Sequence, residues 1–417
     1  MISYDKAIKI LKKNRIKIKS ENILSKESVD RVSAENVYSP YNYPAADNTA
    51  FDGFAINSLD TKNLNKNNTR KFKIIKTLAA GDNPKINNVK KFCTVEVMTG
   101  ALICKPFNSV IPIEKVKFFP NKKKPKFIII DNKIKKFEYI RFSGSDFKKG
   151  EKIISKGEIV KPSHILAFKT LGIEKISVKK IIRIVFYTTG NEITNKKNIP
   201  NWKIRNSNSY YINSFLKHLP VSFKEKNILR DNDEKKFKKQ IEANMKIGTD
   251  IVITSGAISA GKFDFVPKII KKFKLKKLFK GVAIRPGKPI MFAKFNKNMV
   301  FFGLPGNPIS SAACFRFFVL PFLFSSLDSI IDKKIIAINQ RKFIKKKLFT
   351  RFIKGRLTFS NKGVAMFKPF KGQESFRINP FIKTNAWGLF SNNKSNFNKG
   401  DLIECYSPSG INDILIL

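Results

Sequence analysis

The sequence predicts a multidomain α/β protein with a central doubly wound, mostly parallel sheet between two mainly-β regions. The chain has 417 residues, which exceeds the roughly 100–200 residues of a typical domain. Strand-like and helix-like segments alternate over residues 180–327, as in parallel sheets with helices on both faces. The flanking regions contain short apolar runs separated by Gly, Pro, Asn and Asp, which predicts β domains.

The N-terminal region begins with a helix and continues as irregular β structure. Apolar side chains recur at helical spacing between positions 7 and 11, and residues 40–150 contain strand-like runs such as KFKIIKTL and CTVEVMTG. Residues 150–177 predict a polar β segment and then a helix, SHILAFKTLG, that Gly172 ends.

The central region predicts five strands and four helices. The most apolar stretch, around 312–324, is interrupted by Arg316 and Pro321 and is shorter than the roughly 20 residues of a membrane span. This stretch therefore predicts a buried core helix. The C-terminal region, residues 331–417, predicts a small β-barrel or sandwich. In order, the central segments are IIRIVFYTTG, helical NSYYINSFLKHL, NILRD, helical EKKFKKQIEANMK, DIVITSG, helical VPKIIKKF, VAIRPGKPIMFA, MVFFGLPG and a helix from Pro308.

Composition supports folded cores and a cytoplasmic location. Hydrophobic residues make up 42% of the chain, which excludes global disorder. The net charge of +51 would favour a nucleic-acid or membrane partner. However, Lys, Ile, Asn and Phe are all abundant and share A/T-rich codons, so mutational drift in an A/T-rich genome explains the excess of Lys, which is spread along the whole chain. We therefore expect a solvated basic surface with no specific nucleic acid and no membrane. The four cysteines are far apart and form no CxxC pair, which argues against a zinc site or a disulfide framework and fits a reducing cytoplasm. The N-terminal residues do not have the pattern of a signal peptide.

Four loops at predicted strand ends combine small and charged residues. They are TTGNE (188–192), TSGAISAGKFD (254–264), RPGKP (285–289) and LPGNP (304–308). Ligands of such sheets bind beyond the carboxyl ends of the strands. Gly-rich turns expose N–H groups, and Arg285 and Lys288 add positive charge, so the loops predict an anionic ligand. The carboxylates of Glu192, Asp231 and Asp264 are suited to hold Mg²⁺ against a phosphate.

Six motifs resemble those of the MoeA/gephyrin E-domain family, in the family's order and across essentially the whole chain. KGRL (354–357) and TNAWGL (384–389) are weaker matches. The six are DNTAFDGFAI (47–56), VEVMTGA (95–101), RFSGSDFKKG (141–150), SGAISAGKFD (255–264), IRPGKP (284–289) and GLPGNPISS (303–311).

The resemblance implies four domains and a known chemistry. The domains would be a discontinuous N-terminal domain (1–40 and 147–178), a mainly-β domain (41–146), a molybdopterin-binding-like α/β domain (179–330) and a C-terminal β-barrel (331–417). The chemistry would be insertion of molybdenum from molybdate into adenylylated molybdopterin, with Mg²⁺-dependent release of AMP. Partners would be a second copy of the chain in a homodimer, the molybdopterin adenylyltransferase and molybdoenzyme apoproteins. Molybdopterin adenylylation, nucleic-acid binding and a scaffold role remain alternatives.

The resemblance also assigns site residues by position. Asp52 could instead shape a turn, Asp264 could cap a helix, and Arg141 with Asp146 could form a surface ion pair. The residues assigned in this way are Asp52, Thr99, Asp264, Arg285 and Lys288 for catalysis, Glu192, Asp231 and Asp264 for the metal, and Arg141, Asp146, Pro305 and Pro308 for substrate binding. The strand-end loops themselves add Gly256, Ser259, Gly261, Gly306 and Asn307 as expected substrate-binding residues, and Ser375 is expected as a further donor to molybdate.

The chain departs from the family pattern at four positions. Asn191 and Asn206 stand where the family often has aspartate, so two carboxylates are lost near the expected metal. Ala257 replaces a glycine, which would cost about 1 kcal/mol if that position needs a positive φ. Arg285 replaces a lysine and keeps its charge while changing the donor geometry. We expect weakened but surviving activity.

Overall fold

A computed structural model describes residues 1–217, 219–230, 232–256, 275–329 and 334–408. Internal contacts divide the chain into two units. The finer division into four domains stays a prediction. The first unit comprises Met1–Glu35, Ser155–Ile165 and Lys175–Leu417, and the second comprises Asn36–Ile154 and Leu166–Glu174.

The predicted amphipathic helix opens the first unit as α1 (Tyr4–Lys13). The Ser3 side chain caps it by accepting from the Lys6 amide. Ala7 and Leu11 are buried among apolar residues of the central sheet and its helices, because they lie one turn apart on the same face. Strand β1 (Ser20–Leu24) follows.

The second unit is mainly β, as predicted. Its six-stranded sheet has the order β7-β4-β6-β5-β9-β8, in which only β5 and β6 run parallel. Phe54, Phe72 and Ile128 are fully buried in one core beneath it. The strands are β2 (Val37–Tyr38), β3 (Asn48–Thr49), β4 (Gly53–Ile56), β5 (Arg70–Leu78), β6 (Cys93–Val97), β7 (Ser109–Pro112), β8 (Lys117–Phe119), β9 (Phe127–Ile130), β10 (Ile140–Arg141) and β11 (Lys152–Ile154).

The predicted helix of residues 150–177 is α2 (Pro162–Thr170). Gly172 ends it with a φ of +64°, a left-handed conformation that glycine adopts without strain. The chain then forms β12 (Lys175–Lys179), which pairs antiparallel with β1.

The central region forms the predicted mostly parallel sheet, with the order β16-β13-β17-β21-β20-β18. The first four strands run parallel, and β20 and β18 complete the sheet antiparallel. Its elements are β13 (Ile182–Thr188), β14 (Ile193–Thr194), β15 (Ile204–Arg205), α3 (Asn208–Leu216), β16 (Val221–Glu225), α4 (Glu234–Lys246), β17 (Ile251–Ser255), β18 (Lys276–Lys280), β19 (Ile284–Arg285), β20 (Met291–Lys294) and β21 (Val300–Leu304).

Two central segments differ from the prediction. The described part of NILRD, residues 227–230, is not a strand. The sheet uses β16 instead, where Val221 and Phe223 alternate with exposed residues, and within residues 227–230 only Leu229 makes an isolated bridge. The run VAIRPGKPIMFA is divided into β19 and β20, because Pro286 and Pro289 have no amide hydrogen to donate to a ladder. Helix VPKIIKKF lies outside the described residues.

A long apolar helical segment follows β21. Residues Pro308–Ser326 are long and apolar enough to cross a membrane, yet 89% of an apolar 18-residue stretch within them is buried inside the protein, so the segment is the predicted core helix. Pro321 lacks an amide hydrogen and crowds the preceding turn, which accounts for the π-helical turn before it. Its parts are α5 (Pro308–Cys314), the π turn Phe315–Val319 and α6 (Leu320–Ser326).

The last described region is a closed barrel rather than a sandwich. The strands follow the order β24-β25-β22-β28-β26, and β26 pairs back to β24. Strand β19 adds to this barrel beside β24. The elements are β22 (Ile335–Asn339), β23 (Phe343–Ile344), β24 (Thr350–Phe359), β25 (Ala365–Pro369), α7 (Asn379–Ile382), β26 (Ala386–Phe390), β27 (Asn396–Phe397) and β28 (Leu402–Tyr406).

Candidate functional site

Three neighbouring parallel strands end at the same edge of the central sheet, and each is followed by a glycine turn. Gly190, Gly256 and Gly306 come after β13, β17 and β21, as predicted. Gly256 has a φ of +97°, and a Cβ there would lie 2.6 Å from the Thr189 hydroxyl oxygen. The backbone therefore approaches closely at this edge, which is where ligands of parallel α/β sheets bind.

Two asparagines tie these loops together. Asn208 donates from Nδ2 to the Ser255 hydroxyl at 2.6 Å and to the Gly306 carbonyl at 2.9 Å. Asn206, where the family often has aspartate, is buried and donates to a Glu225 carboxylate oxygen at 2.7 Å. An aspartate at 206 would place two carboxylates against each other, so Asn206 is matched to Glu225 in this chain.

Glu192 carries a free carboxylate beside the first of these turns. A Cβ built on Gly190 would lie 2.6 and 2.8 Å from the two carboxylate oxygens of Glu192. Gly190 also has a φ of +134°, a backbone conformation that other residues rarely adopt, so glycine is favoured at this turn. The Glu192 carboxylate has no hydrogen bond or ion pair within the part of the chain that the structure describes. It therefore offers its oxygens to a ligand or a hard cation.

A cationic cavity of about 660 Å³ lies where loop RPGKP meets the barrel. The guanidinium-bearing residues Arg285 and Arg351 stand opposite each other on the parallel strands β19 and β24. Burial lowers the pKa of Arg351, and the charge of Arg285 lowers it further. Arg351 Nε is buried with no hydrogen-bond partner among the described residues. The described lining residues are Arg285, Pro286, Gly287, Lys288, Pro289, Pro305, Asn307, Ser310, Arg351, Gln373, Glu374, Ser375 and Phe376.

This cavity brings predicted residues together and adds one that the sequence did not reveal. Arg285, Lys288, Pro305, Asn307 and Ser375 all line it, as does the unpredicted Arg351. The one carboxylate among the described lining residues, Glu374, lies 3.1 Å from Arg377 in an ion pair. Because Glu374 pairs with Arg377, it does not neutralise Arg285 and Arg351, and a bound anion would relieve the repulsion between these two cations.

Hydrogen bonds hold the Ser375 loop in place. Asn307 Nδ2 donates to the Ser375 hydroxyl at 3.0 Å, and the Ile309 amide donates to the Ser375 carbonyl at 3.2 Å. Buried Lys354 donates from Nζ to the carbonyls of Glu374 and Arg377 at 3.3 and 3.0 Å. Burial lowers the pKa of Lys354 to about 8, so the ammonium remains mostly charged at neutral pH.

In the second unit, Asp52 and Thr99 contact each other. The Asp52 carboxylate accepts from the Thr99 amide at 2.6 Å and from the Thr99 hydroxyl at 2.7 Å. These bonds, the backbone one first, lower the pKa of Asp52. The next residue must be glycine, because a Cβ at Gly53 would lie 2.0 Å from the Ile111 carbonyl oxygen. Asp52 is thus kept ionised.

Replacing Thr99 by Val should raise the pKa of Asp52 toward its ordinary value. The variant loses the hydroxyl that donates to the Asp52 carboxylate, while the backbone amide of residue 99 still donates to it and keeps part of the lowering of the pKa. Because the folded-state pKa is lowered, the wild-type carboxylate stays ionised to a lower pH than the variant's. A ¹³C NMR titration of the Asp52 carboxyl measures this. Thr99→Ser, which keeps the hydroxyl, is the control, and an unchanged pKa in Thr99→Val would contradict the assignment.

Arg141 and Asp146 line a second cavity, of about 710 Å³, within the second unit. Tyr41, Tyr43 and Asn48 also line it. The two charged residues form no ion pair with each other in the described structure, so the surface-pair alternative fails. Both charges remain open to a ligand.

Four assigned residues, Asp231, Ser259, Gly261 and Asp264, lie outside the described residues. Within the described ranges, no group of three or more His, Cys, Asp or Glu side chains is placed to hold a metal. Of the three expected metal ligands, the structure therefore describes Glu192 alone. The assignments of site residues stay predictions.

Family models match three successive regions of the chain. The MoeA N-terminal region (domain I and II) matches residues 2–172, and the MoeA C-terminal region (domain IV) matches residues 337–407. Between them, a "Probable molybdopterin binding domain" matches residues 185–325.

Similar proteins cover most of the chain. A molybdopterin molybdenumtransferase of Staphylococcus epidermidis is 27% identical over 97% of this chain and 94% of its own length. That of Staphylococcus aureus strain Mu50 is 30% identical over 82% of this chain and 80% of its own. The solved molybdopterin biosynthesis MoeA protein from Pyrococcus horikoshii OT3 is 25% identical, with a TM-score of 0.80 over 97% of this chain and 99% of that one. By its motifs, its fold and these matches, the chain belongs to the MoeA/gephyrin E-domain family.

Proposed function

We propose that the protein inserts molybdenum from molybdate into adenylylated molybdopterin and releases AMP in molybdenum cofactor biosynthesis. The observation that carries this proposal is the cationic cavity of Arg285, Lys288 and Arg351. Molybdate is a tetrahedral oxyanion with two negative charges, and it requires clustered cations and N–H or O–H donors. The Ser375 hydroxyl and the Asn307 side chain supply such polar groups at the cavity wall.

The strand-end loops are the proposed site for the phosphates of the second substrate. Turns at Gly190, Gly256 and Gly306 let the backbone approach a phosphate closely, and backbone N–H groups favour its negative charge. Adenylylated molybdopterin carries a pyrophosphate. Water would add to one phosphorus as the bond from that phosphorus to the bridging oxygen breaks, and AMP would leave. The two dithiolene sulfurs of the remaining molybdopterin would then bind the molybdenum, as one oxygen of molybdate leaves with the two thiol protons as water and the molybdenum keeps its oxidation state.

The proposed metal ligands are Glu192, Asp231 and Asp264. The free carboxylate of Glu192 fits a hard cation such as Mg²⁺, which prefers oxygen ligands. Bound there, Mg²⁺ would neutralise charge on the phosphates. Asp52, kept ionised by Thr99, is the proposed catalytic carboxylate of the second unit.

We also propose the setting in which the protein acts. It would be a cytoplasmic homodimer that receives its substrate from the molybdopterin adenylyltransferase and passes its product to molybdoenzyme apoproteins. Its dispersed Lys residues would bind DNA only weakly and without sequence preference, with affinity lost near physiological salt.

The test is AMP release from purified substrate. We expect AMP to appear when the protein is incubated with adenylylated molybdopterin, Mg²⁺ and molybdate, and the product to reconstitute an apo-molybdoenzyme. Chelating Mg²⁺ should abolish the release. Absence of AMP with verified substrate and metal would contradict the proposal. Consumption of ATP with unmodified molybdopterin would instead indicate the adenylyltransferase.

A further inference from the structure

An exposed tryptophan lies in the loop that follows β13. The chain has two tryptophans. Trp387 is fully buried, whereas Trp202 is 76% exposed. An indole ring gains free energy when it is covered, and it offers a flat π-face for stacking. Trp202 therefore lies where a ligand could cover it.

Local hydrogen bonds hold the backbone around Trp202 in place. The Lys203 amide donates to the Pro200 carbonyl at 2.9 Å, which makes Trp202 the third residue of a β-turn. The Ile204 amide then donates to the Glu192 carbonyl at 2.9 Å. This bond fixes the turn beside the residue that carries the free carboxylate.

The base of the same loop is clamped by a guanidinium. Arg230 Nη1 donates to the carbonyl of Gly190 at 2.9 Å and to that of Ile193 at 2.8 Å. A loop held in this way loses little conformational freedom when it binds a ligand. The backbone that carries the exposed ring is thus preorganised.

The loop returns to the strand-end edge of the sheet. Thr188, the last residue of β13, donates its hydroxyl hydrogen to Asn206 Oδ1 at 3.2 Å. Asn208 then bonds to Ser255 and Gly306 at the neighbouring strand ends. Trp202 therefore belongs to a loop whose two ends are both fixed at the edge proposed to bind the phosphates.

We propose that Trp202 stacks on a flat heterocyclic ring of the substrate, either its purine or the pyrimidine ring of its pterin. The inference rests on the proposed function, because that substrate carries two such rings beside its phosphates. Exposed Lys196 and Lys197 in the same loop provide positive charge near those phosphates. Stacking is a property of the ring face, so either flat ring of the substrate satisfies the geometry.

The experiment compares Trp202→Phe, Trp202→Leu and Trp202→Ala with the full-length wild type. Calorimetric titration with AMP and, separately, with neopterin identifies which ring stacks. Loss of a base–aromatic stack should weaken binding roughly tenfold to a hundredfold in the Leu and Ala variants. Trp202→Phe, which keeps a π-face, should bind nearly as the wild type does. Phe359→Leu, at an exposed aromatic on β24, is the matched control.

A second readout uses the fluorescence of Trp202. Acrylamide should quench the exposed Trp202 and spare the buried Trp387, and AMP or neopterin should protect Trp202 from quenching. With the natural substrate, Trp202→Leu should raise KM and leave kcat nearly unchanged, since the stack forms before the reaction.

The outcomes separate this inference from the proposed function. Weakened binding of either ring supports stacking and identifies the ring. If Trp202→Ala binds both AMP and neopterin as the wild type does, the stacking inference is wrong. It is also wrong if protection of Trp202 from acrylamide quenching depends on protein concentration and not on added ligand, because that result would indicate a contact between copies of the chain. If the wild type releases no AMP, the proposed function fails. If it releases AMP and Trp202→Leu keeps the wild-type KM, only the stacking inference fails.

Discussion

Replacing Arg351 by Met is expected to raise the molybdate concentration needed for half-maximal cofactor formation by roughly thirtyfold or more. Arg351 and Arg285 are like charges on paired strands, and burial and the Arg285 charge both lower the pKa of Arg351. A bound dianion offsets this repulsion, so the free energy gained on binding depends on both cations. Met keeps most of the aliphatic stem and removes the charge.

The measurement is reconstitution of an apo-molybdoenzyme across a molybdate titration. Arg356→Met is the matched control, because Arg356 lies on the same strand and is exposed. Its requirement for molybdate should not change. The melting temperature of Arg351→Met should stay the same or rise, since removing one of two adjacent cations relieves repulsion. A wild-type molybdate requirement in Arg351→Met would rule out the cavity as the oxyanion site.

Replacing Glu192 by Gln is expected to slow AMP release by more than about tenfold and to raise the Mg²⁺ requirement. The amide keeps the size of the carboxylate but loses the charge that favours a hard cation. Because the carboxylate makes no hydrogen bond or ion pair within the described residues, the substitution breaks no internal contact there. Folding stability should therefore be preserved while the metal is bound less tightly.

Titration of AMP release with Mg²⁺ tests this, and Mn²⁺ binding followed by electron paramagnetic resonance tests the metal site without turnover. Glu242→Gln is the control, because this exposed residue of α4 pairs with Lys238 at 3.9 Å on the helix surface. Identical Mg²⁺ dependence in wild type and Glu192→Gln would show that Glu192 does not bind the metal. Asp264→Asn should behave as Glu192→Gln does if Asp264 is the second ligand.

Much of the central architecture follows from patterns that are local in the sequence. Continuous apolar runs such as IVIT in β17 and VFF in β21 are buried on both faces, which is typical of parallel strands. The apolar spacing of α4 places Phe237 and Ile241 on one buried face. The glycines after β13, β17 and β21 predict an edge where a ligand approaches the backbone. The order of the motifs correctly predicted the family.

Local patterns failed where pairing decided the outcome. NILRD contains apolar residues suited to a strand, yet β16 at Val221–Glu225 took that place in the sheet. Strand β18, rich in lysine, pairs through its backbone with β20 and gives little apolar signal. A strand at the edge of a sheet needs fewer buried side chains, so its sequence indicates its position weakly.

The sequence alone determined the alternation of strands and helices, the strand-end loops and the family. The tertiary structure decided which distant residues meet. Arg285 and Arg351 lie 66 positions apart and come together because β19 pairs with β24. The Ser375 loop reaches the same cavity through bonds from Asn307 and Lys354. The spacing of apolar residues in the sequence indicates which side chains are buried, but it does not indicate which strands pair. The choice of partner strand depends on closure of the barrel and on packing of the whole chain.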